Sequence, residues 1–364
     1  MMIVHWVLGP KNSKTTGVGL YSEMLCDSLS SNAHEVCRYY FSGKVRSVRR
    51  YFDQILGIPL RLFCSVRRDD TVVLYQEDIA FMSWVAALRT NKVIVIVHHL
   101  PILVEHPNLI DKIKNIVIRA NLLALRSGSK VVCPSENTAK LFKKTYRSSL
   151  PHVVPNAFKI NCVERDSNDR VEARNLLAKN LRLSLNGKFL ILAVGSEESR
   201  KNFDVLIKGL ASASVAKRVF FLKLGRPIDL RNRSVNLQLS EGGGFDFAFV
   251  DEVTDDILRL AYSSADLFVT SSLLEGFGRT PIEAQSYGAP ICASKIDIFD
   301  ETMGNTYYPV ESPERPESWA AAVERLESDS KLRFDLSMMG SENSRRYDIS
   351  RVGLDFLGVI SGLE

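Results

Sequence analysis

The 364-residue sequence lacks the apolar run of about 18 residues that a membrane-spanning helix requires. Its most apolar stretch, residues 92–104, is interrupted by His98 and His99. The first eight residues contain neither lysine nor arginine, so they predict a buried strand rather than a signal peptide. These absences favour a cytoplasmic protein.

The spacings Cys-x-x-Cys and Asp-x-Asp are absent as well. The cysteines are scattered without Cys-x-x-Cys spacing, whereas structural zinc sites need paired ligands. We therefore expect reduced thiols and no metal at Cys26, Cys37, Cys64, Cys133, Cys162 and Cys292. The triplet Asp-x-Asp, which often holds a divalent ion against a diphosphate, occurs nowhere in the chain. Phosphate chemistry would then depend on cationic side chains and helix N-termini, with no cofactor.

The composition is that of a globular protein, with 45% hydrophobic and 24% charged residues and a length that suggests two domains. The net charge of +5 is unevenly divided. Residues 1–160 contain 22 basic and 11 acidic residues, and the remainder contains 25 and 31. The first half is therefore expected to meet an anionic partner. Nucleic acid is disfavoured, because no helix-turn-helix, zinc-finger or RNP-like motif is present.

Short β-rich runs alternate with segments of helical period, which predicts an α/β fold with parallel sheets. The predicted strands are Ile3–Leu8, Thr71–Tyr75, Val93–Val97, Lys130–Cys133, Val153–Val154, Phe189–Val194, Val219–Leu224, Leu267–Thr270 and Pro290–Ala293. The pattern restarts after a polar stretch at 164–170. We predict domains at 1–163 and 164–340, followed by an amphipathic C-terminal helix at 341–364.

The strongest chemical pattern follows the predicted strand that ends at Thr270. Two carboxylates, Glu275 and Glu283, bracket the loop Gly276-Phe277-Gly278. Glycines let backbone amides approach a ligand, and a helix N-terminus favours an anion. Thr280 is expected to be the N-cap of the next helix. Glu283 is then as compatible with a capping box as with a ligand contact.

Two further loops follow predicted strands. After one strand, Gly195 precedes Arg200 and Lys201, which can neutralise a diphosphate or belong to a solvated polar turn. After the first strand, Gly17 and Gly19 lack the third glycine of a dinucleotide fingerprint. They predict either a loop that approaches phosphate or sugar, or a flexible surface loop.

A histidine pair, His98 and His99, ends the strand Val93–Val97. Side chains at the carboxyl end of a parallel strand face the ligand side of the sheet. His98 can therefore donate to a sugar hydroxyl or move a proton. A structural role fits the pattern equally well.

Taken together, these residues resemble the retaining glycosyltransferases of family 4, which have the GT-B fold. Glu275 to Glu283 matches the family's E-x7-E motif, and Gly195 with Arg200-Lys201-Asn202 matches its second-domain phosphate motif. His98 matches the histidine of the first domain. Many members have arginine after the glycine of the phosphate motif, where this sequence has Ser196. The resemblance implies two Rossmann-like domains facing across a cleft, with the C-terminal helix returning to the first.

The resemblance also implies that the second domain holds a nucleotide-sugar donor. Lys201, assisted by Arg200, would neutralise the diphosphate without a metal. The donor-binding residues would be Gly17, Gly19, Gly195, Arg200, Lys201, Glu275, Gly276, Phe277, Gly278, Thr280 and Glu283. His98 and Glu275 would be the catalytic residues.

The implied activity is retaining transfer of a hexose to a lipid-linked, polysaccharide or lipopolysaccharide acceptor in cell-envelope glycan synthesis. A non-catalytic sugar-nucleotide-binding scaffold and a nucleotide-sugar epimerase of the same fold are the alternatives. Aromatic and aliphatic residues interleaved with arginines in the first half further predict peripheral attachment to the cytoplasmic membrane face. These arginines are Arg46, Arg49, Arg50, Arg61, Arg67 and Arg68.

Overall fold

The structure is a computed structural model that describes residues 2–10, 17–32, 34–42, 47–98, 100, 109–123, 125, 128–147, 149–160 and 167–362. The chain divides into two compact units, Met1–Lys159 with Tyr347–Glu364, and Ile160–Arg346. The predicted boundary between residues 163 and 164 lies outside the described residues. Arg46, His99 and Cys162 lie outside them too.

The first unit contains a six-stranded parallel sheet of order β2-β1-β3-β4-β5-β6. Its strands are β1 (Ile3–Pro10), β2 (Glu35–Phe41), β3 (Thr71–Leu74), β4 (Val93–Ile96), β5 (Lys130–Cys133) and β6 (His152–Val153). Its first helices are α1 (Gly17–Ser31), α2 (Val48–Phe52), α3 (Ile58–Ser65), α4 (Met82–Ala86), α5 (Leu109–Leu123) and α6 (Glu136–Tyr146). A π-helical turn, Asp53–Gly57, joins α2 to α3.

The second unit contains another six-stranded parallel sheet, of order β12-β11-β10-β7-β8-β9. Its strands are β7 (Phe189–Val194), β8 (Val219–Leu224), β9 (Asp246–Val250), β10 (Leu267–Thr270), β11 (Ile291–Ser294) and β12 (Tyr308–Val310). Its helices are α7 (Ser167–Leu181), α8 (Phe203–Ser212), α9 (Leu230–Glu241), α10 (Asp255–Ser264), α11 (Arg279–Ser286), α12 (Asp297–Met303), α13 (Pro316–Ser328) and α14 (Ser330–Ser344).

Apolar residues on both faces of the central strands explain why helices cover each sheet on both sides. In the first unit, β3 and β4 are buried along their whole length, and α1 packs its apolar stripe of Tyr21, Leu25 and Leu29 on the core. In the second unit, α8 covers β7 and β8 with Leu206 and Leu210. The predicted α/β alternation is confirmed, and all nine predicted strands are present.

The last helix, α15 (Ile349–Ser361), belongs to the first unit. Its buried residues Val352, Phe356 and Ile360 join the core of that unit. We predicted that the second domain ends at residue 340. The second unit instead ends at Arg346, because α14 continues to Ser344.

Hydrogen bonds explain why α14 stays with the second unit. Ser337 Oγ donates to Gly288 O over 2.6 Å, and Asn343 Nδ2 donates to Gln285 Oε1 over 2.9 Å. Both acceptors lie on α11 or in the turn after it.

Two predictions from absences can be compared with the described residues. None of the described helices is long and apolar enough to cross a membrane. The described cysteines are free thiols, of which Cys26, Cys133 and Cys292 are buried, Cys37 is half-buried and Cys64 is exposed.

Candidate functional site

Two loops at the carboxyl edge of the second sheet form the candidate site. One follows β7 and contains Gly195, Arg200 and Lys201, and the other follows β10 and contains Glu275. Leu273 N donates to Arg200 O over 2.8 Å, and Ser271 Oγ donates to Lys201 O over 2.6 Å. β7 and β10 are neighbours in the parallel sheet, so their loops meet at one edge.

Glu275 binds both cations of the first loop. Lys201 Nζ lies 2.5 Å from Glu275 Oε1, and Arg200 Nη1 lies 3.2 Å from Oε2. Arg200 also donates to Leu274 O and lies 2.5 Å from a carboxylate oxygen of Glu198. The Lys201 and Glu275 side chains are 12% and 14% exposed, so their ion pair is only weakly screened by solvent.

The protonation state of Glu275 follows from these neighbours. Burial alone would raise the pKa of its carboxyl group. The positive charges of Lys201 and Arg200 outweigh burial and lower the pKa of Glu275 to about 2. Glu275 is therefore ionised at neutral pH, and it accepts hydrogen bonds without donating any.

Gly195 lies against the side chain of Lys201. A Cβ atom on Gly195 would lie 3.6 Å from Lys201 Cε, so the lysine side chain runs along the glycine backbone. Gly195 has a φ of 150°, and Asn202 just after Lys201 has a left-handed φ of 53°. Asn202 is held by its donation to Pro313 O over 2.8 Å.

The prediction that Thr280 is the N-cap of α11 is wrong, and the capping-box alternative for Glu283 is wrong with it. Helix α11 begins at Arg279 and its N-cap is Gly278, so Thr280 lies inside the first turn. The carboxylate of Glu283 instead accepts from Arg279 Nε over 2.8 Å and from Tyr262 OH over 3.1 Å. The backbone conformation of Gly278, with a φ of 78°, determines where this helix starts.

The loop before α11 combines a buried side chain with accessible backbone. Phe277 is 4% exposed, which anchors the loop, while Gly276 is half-buried. The three predicted loop residues thus precede a helix N-terminus, an arrangement that attracts anions.

In the first unit, His98 follows β4 and is 3% exposed. Its backbone N–H donates to Glu77 Oε2 over 3.0 Å. The centroids of the His98 and Tyr21 rings lie 5.3 Å apart, and the two rings are perpendicular. Gly17 and Gly19 form the first turn of α1 and are not in a loop, which corrects that prediction. Gly17 is exposed, and Gly19 is buried.

Sequence reasoning missed Glu77, Glu197, Lys223 and Tyr262. Two of them carried a usable signal. Glu77 comes just after a buried strand, as His98 does, and Lys223 is a charge inside the apolar run Val219–Leu224. The role of Tyr262 depends on the approach of α10 to α11, which no local pattern predicts.

Residues 179–343 match the sequence model of the family described as glycosyl transferases group 1. This segment, just under half of the chain, is similar to group 1 glycosyl transferase domains. A curated relative, the O-antigen chain mannosyltransferase RfbU of Salmonella typhimurium, is 30% identical over 148 residues, which are 40% of either chain. The mannosylfructose-phosphate synthase of Agrobacterium fabrum is 36% identical over 117 residues, 30% of this chain and 26% of its own. The matches thus span two fifths or less of these relatives' length.

Solved structures extend the similarity beyond the group 1 domain. Anabaena Alr3699/HepE, solved with UDP and glucose, has a TM-score of 0.78 at 15% identity, with all of both chains covered. WaaG, described as a glycosyltransferase involved in lipopolysaccharide biosynthesis, has a TM-score of 0.74 at 14% identity, covering 99% of this chain and 100% of its own. The predicted GT-B fold is confirmed.

Proposed function

We propose that the protein is a glycosyltransferase that moves a hexose, with retention, from a nucleotide-diphosphate sugar to an acceptor. One observation carries the proposal: Arg200 and Lys201 lie beside the partly buried Glu275, at the carboxyl edge of the sheet in the segment that matches the group 1 model. Two cations suit a diphosphate leaving group. Electrostatic stabilisation of that group lowers the barrier to transfer.

We assign each side chain of the site a role in binding the donor. Lys201 and Arg200 bind the diphosphate and replace a metal ion. Glu275, ionised and acceptor-only, accepts from hydroxyls of the donor sugar. The backbone amides of 276–278 contact the phosphate and sugar, and Glu283 accepts from the ribose hydroxyls. Gly195 lies against the Lys201 side chain, beside the proposed diphosphate site.

The first unit contributes His98 to the proposed transfer. Its ring is fixed by Tyr21 and its backbone by Glu77, so its orientation is set before substrate binds. His98→Ala is expected to lower kcat and leave the Kd for a nucleoside diphosphate unchanged. An unchanged kcat would remove His98 from the mechanism.

A mannosyl donor is our first candidate. RfbU and the Escherichia coli relative WbdA, 34% identical over 119 residues, are both named mannosyltransferases. A thermal-shift screen with UDP, GDP, UDP-glucose and GDP-mannose tests this. A ligand at 100 times its Kd should add about 2.7 kcal/mol of stability. A response to none of these compounds would contradict the nucleotide-sugar proposal.

Donor hydrolysis separates an enzyme from a binding scaffold. Lys201→Met should slow release of the nucleoside diphosphate by about 100-fold, because it removes a positive charge that stabilises the leaving group. Glu275→Ala should slow it by a similar factor, because it removes the acceptor for the hydroxyls of the donor sugar. Lys208→Met is the matched control, because Lys208 pairs with Asp204 on the exposed face of α8. Rates equal to wild type in Glu275→Ala would refute the catalytic assignment.

We further propose that the acceptor is lipid-linked and that the first unit binds the anionic cytoplasmic face of a membrane. Seven apolar side chains between residues 48 and 63 are exposed, at fractions from 43% to 85%. They are Val48, Tyr51, Phe52, Ile55, Leu56, Leu60 and Phe63. The exposed Arg49, Arg61, Arg67 and Arg68 supply charge complementary to anionic lipid.

The buried side of the same segment explains why its apolar residues face outward. Asp53 is buried and accepts from both the backbone N–H and the hydroxyl of Ser42, at the end of β2. Ile58 and Leu62 join the core of the unit. These three anchors fix the orientation of α2, the π-turn and α3.

Vesicle sedimentation tests the membrane proposal. Wild type should bind phosphatidylglycerol vesicles more than phosphatidylcholine vesicles at low salt, and added salt should weaken binding. Val48→Ser with Ile55→Ser should abolish the preference. Phe334→Ser with Met338→Ser is the control, because both residues are exposed on α14. Equal binding of wild type to both vesicles would overturn the proposal.

A further inference from the structure

A fully buried lysine lies directly behind the candidate site. Lys223 is part of β8, all six residues of which are buried, and its side chain is 1% exposed. Its Nζ lies 2.6 Å from Glu197 Oε1 and donates to Gly225 O over 2.6 Å. Burial lowers the pKa of Lys223, and the Glu197 carboxylate opposes that shift. A buried charge of this kind persists only when it is paired.

Its partner, Glu197, belongs to the loop that contains Arg200 and Lys201. The Glu197 side chain is completely buried, and its Oε1 also lies 2.5 Å from Nη1 of Arg233 on α9. Arg233 extends to the carboxylate of Asp251 after β9 and lies 5.0 Å over the Phe249 ring. One carboxylate therefore connects the β7–α8 loop to β8 and to α9.

The backbone of this loop is tied at the same place. Asn232 Nδ2 donates to Glu197 O over 2.9 Å and to Ser199 Oγ over 3.3 Å. Gly225 approaches Gly195 so closely that an added Cβ would lie 2.9 Å from Gly195 O. The loop is therefore held against β8 by both side-chain and backbone contacts.

We propose that Glu197 is a positioning residue, whose ion pairs with Lys223 and Arg233 hold the β7–α8 loop so that Arg200 and Lys201 are placed for a diphosphate. This inference rests on the proposed function of that site. Preorganised cations bind an anion more tightly, because the protein does not have to order the loop during binding. An ion pair needed only for charge balance would be replaceable by apolar residues without effect on the site.

The test compares stability with ligand affinity. Glu197→Leu and Lys223→Met, each alone, should lower Tm. Glu197→Leu leaves the buried Lys223 without its carboxylate, and Lys223→Met leaves the buried Glu197 with Arg233 as its remaining ion-pair partner. The double variant should recover most of the lost Tm. Its Kd for UDP or GDP, whichever wild type binds by calorimetry, should still be raised by about tenfold or more.

Two further variants support the comparison. Glu342→Leu with Arg345→Met is the matched control, because it removes an exposed ion pair on α14 with the same change in charge. Its Kd should equal that of wild type. Arg233→Met, at a position 12% exposed, keeps the Glu197–Lys223 pair and should raise the Kd by a smaller factor at near-normal Tm. This variant provides the test if the double variant does not fold.

The outcomes separate this inference from the proposed function. A double variant with wild-type Tm and wild-type Kd would overturn the positioning role and leave the proposed function intact. A wild-type Kd in Arg233→Met would likewise overturn it if the double variant did not fold. Wild type that binds neither nucleotide would refute the proposed function itself.

Discussion

At the residue scale, the candidate site contains positive and negative side chains that neutralise one another and are only partly exposed to solvent. The negative charge of Glu275 compensates the positive charges of Lys201 and Arg200. Glu198 forms an ion pair with the other terminal nitrogen of the Arg200 guanidinium. Hydrogen bonds between charged groups are stronger than those between neutral groups, and limited solvent strengthens them. A diphosphate must therefore replace or share contacts that the carboxylates already make.

Glu275 should make stability depend on pH. Its folded pKa of about 2 lies below the ordinary 4.5, so its stabilising effect is complete above pH 4.5 and is lost as the pH falls towards 2. The free energy of unfolding of wild type should exceed that of Glu275→Gln by about 3 kcal/mol near neutral pH, and the gap should shrink below pH 4.5. Urea unfolding of wild type and Glu275→Gln at several pH values measures this difference in the free energy of unfolding. A gap constant down to pH 2.5 would contradict the assignment.

The same scale shows where local pattern reasoning failed. The sequence Thr280 to Glu283 has the spacing of a capping box, but Gly278 starts the helix earlier. Glu283 is then free to bind Arg279 one turn away and Tyr262 on α10. A cap depends on the backbone conformation of neighbouring residues, which side-chain identity alone does not fix.

At the element scale, the start of α11 depends on one glycine. Gly278 has a left-handed backbone, and a Cβ atom there would lie 2.6 Å from the ring of Phe299 on α12. Both the φ angle and the close approach thus require glycine. The position of the helix N-terminus beside Glu275 follows from this contact.

Gly278→Ala should therefore destabilise the second unit by about 2 kcal/mol or more, through backbone strain and a steric clash. The control is Gly187→Ala, where φ is 66° and no atom lies within 4 Å of an added Cβ. Gly187→Ala should lower the free energy of unfolding by about 1 kcal/mol, because only the left-handed backbone conformation opposes the alanine. Denaturant unfolding of both variants gives the difference. Equal losses would show that Phe299 imposes no steric constraint.

The strands that were not predicted share a position in the sheets. β2, β9 and β12 lie at sheet edges, whereas most of the predicted strands are internal. Edge strands are only half covered, so their sequences mix polar and apolar residues, as in Glu35–Phe41. Continuous apolar runs identify buried parallel strands and leave such edges undetected.

At the scale of the whole molecule, the chain leaves the first unit and returns to it. Phe158 and Asp348 form a parallel β-bridge, with Phe158 N donating to Tyr347 O over 2.9 Å and Ile349 N donating to Phe158 O over 2.8 Å. Helix α15 then packs Phe356 against Trp6 of β1, with ring centroids 5.3 Å apart. The hydrophobic core of the first unit is therefore complete only when α15 is packed against it.

Phe356→Ala should destabilise the first unit by about 3–5 kcal/mol, because it leaves a cavity beside Trp6 of β1. The control is Leu354→Ala on the same helix, where the side chain is 61% exposed. It should change stability by less than about 0.5 kcal/mol. Hydrogen exchange should show faster opening of β1 and β3 in Phe356→Ala with β7 and β8 unchanged. Equal effects of the two variants would contradict the packing role of α15.

The sequence by itself determined the α/β class, the buried strands and the positions of Gly195, Arg200, Lys201 and Glu275 after the carboxyl ends of strands, because apolar runs and strand-end positions are local. Only the tertiary structure decided what each charge contacts. Three contacts join residues distant in sequence: Tyr262 with Glu283, Phe299 with Gly278, and Lys223 with Glu197. Packing selects such contacts after the elements have formed, and no local pattern encodes them.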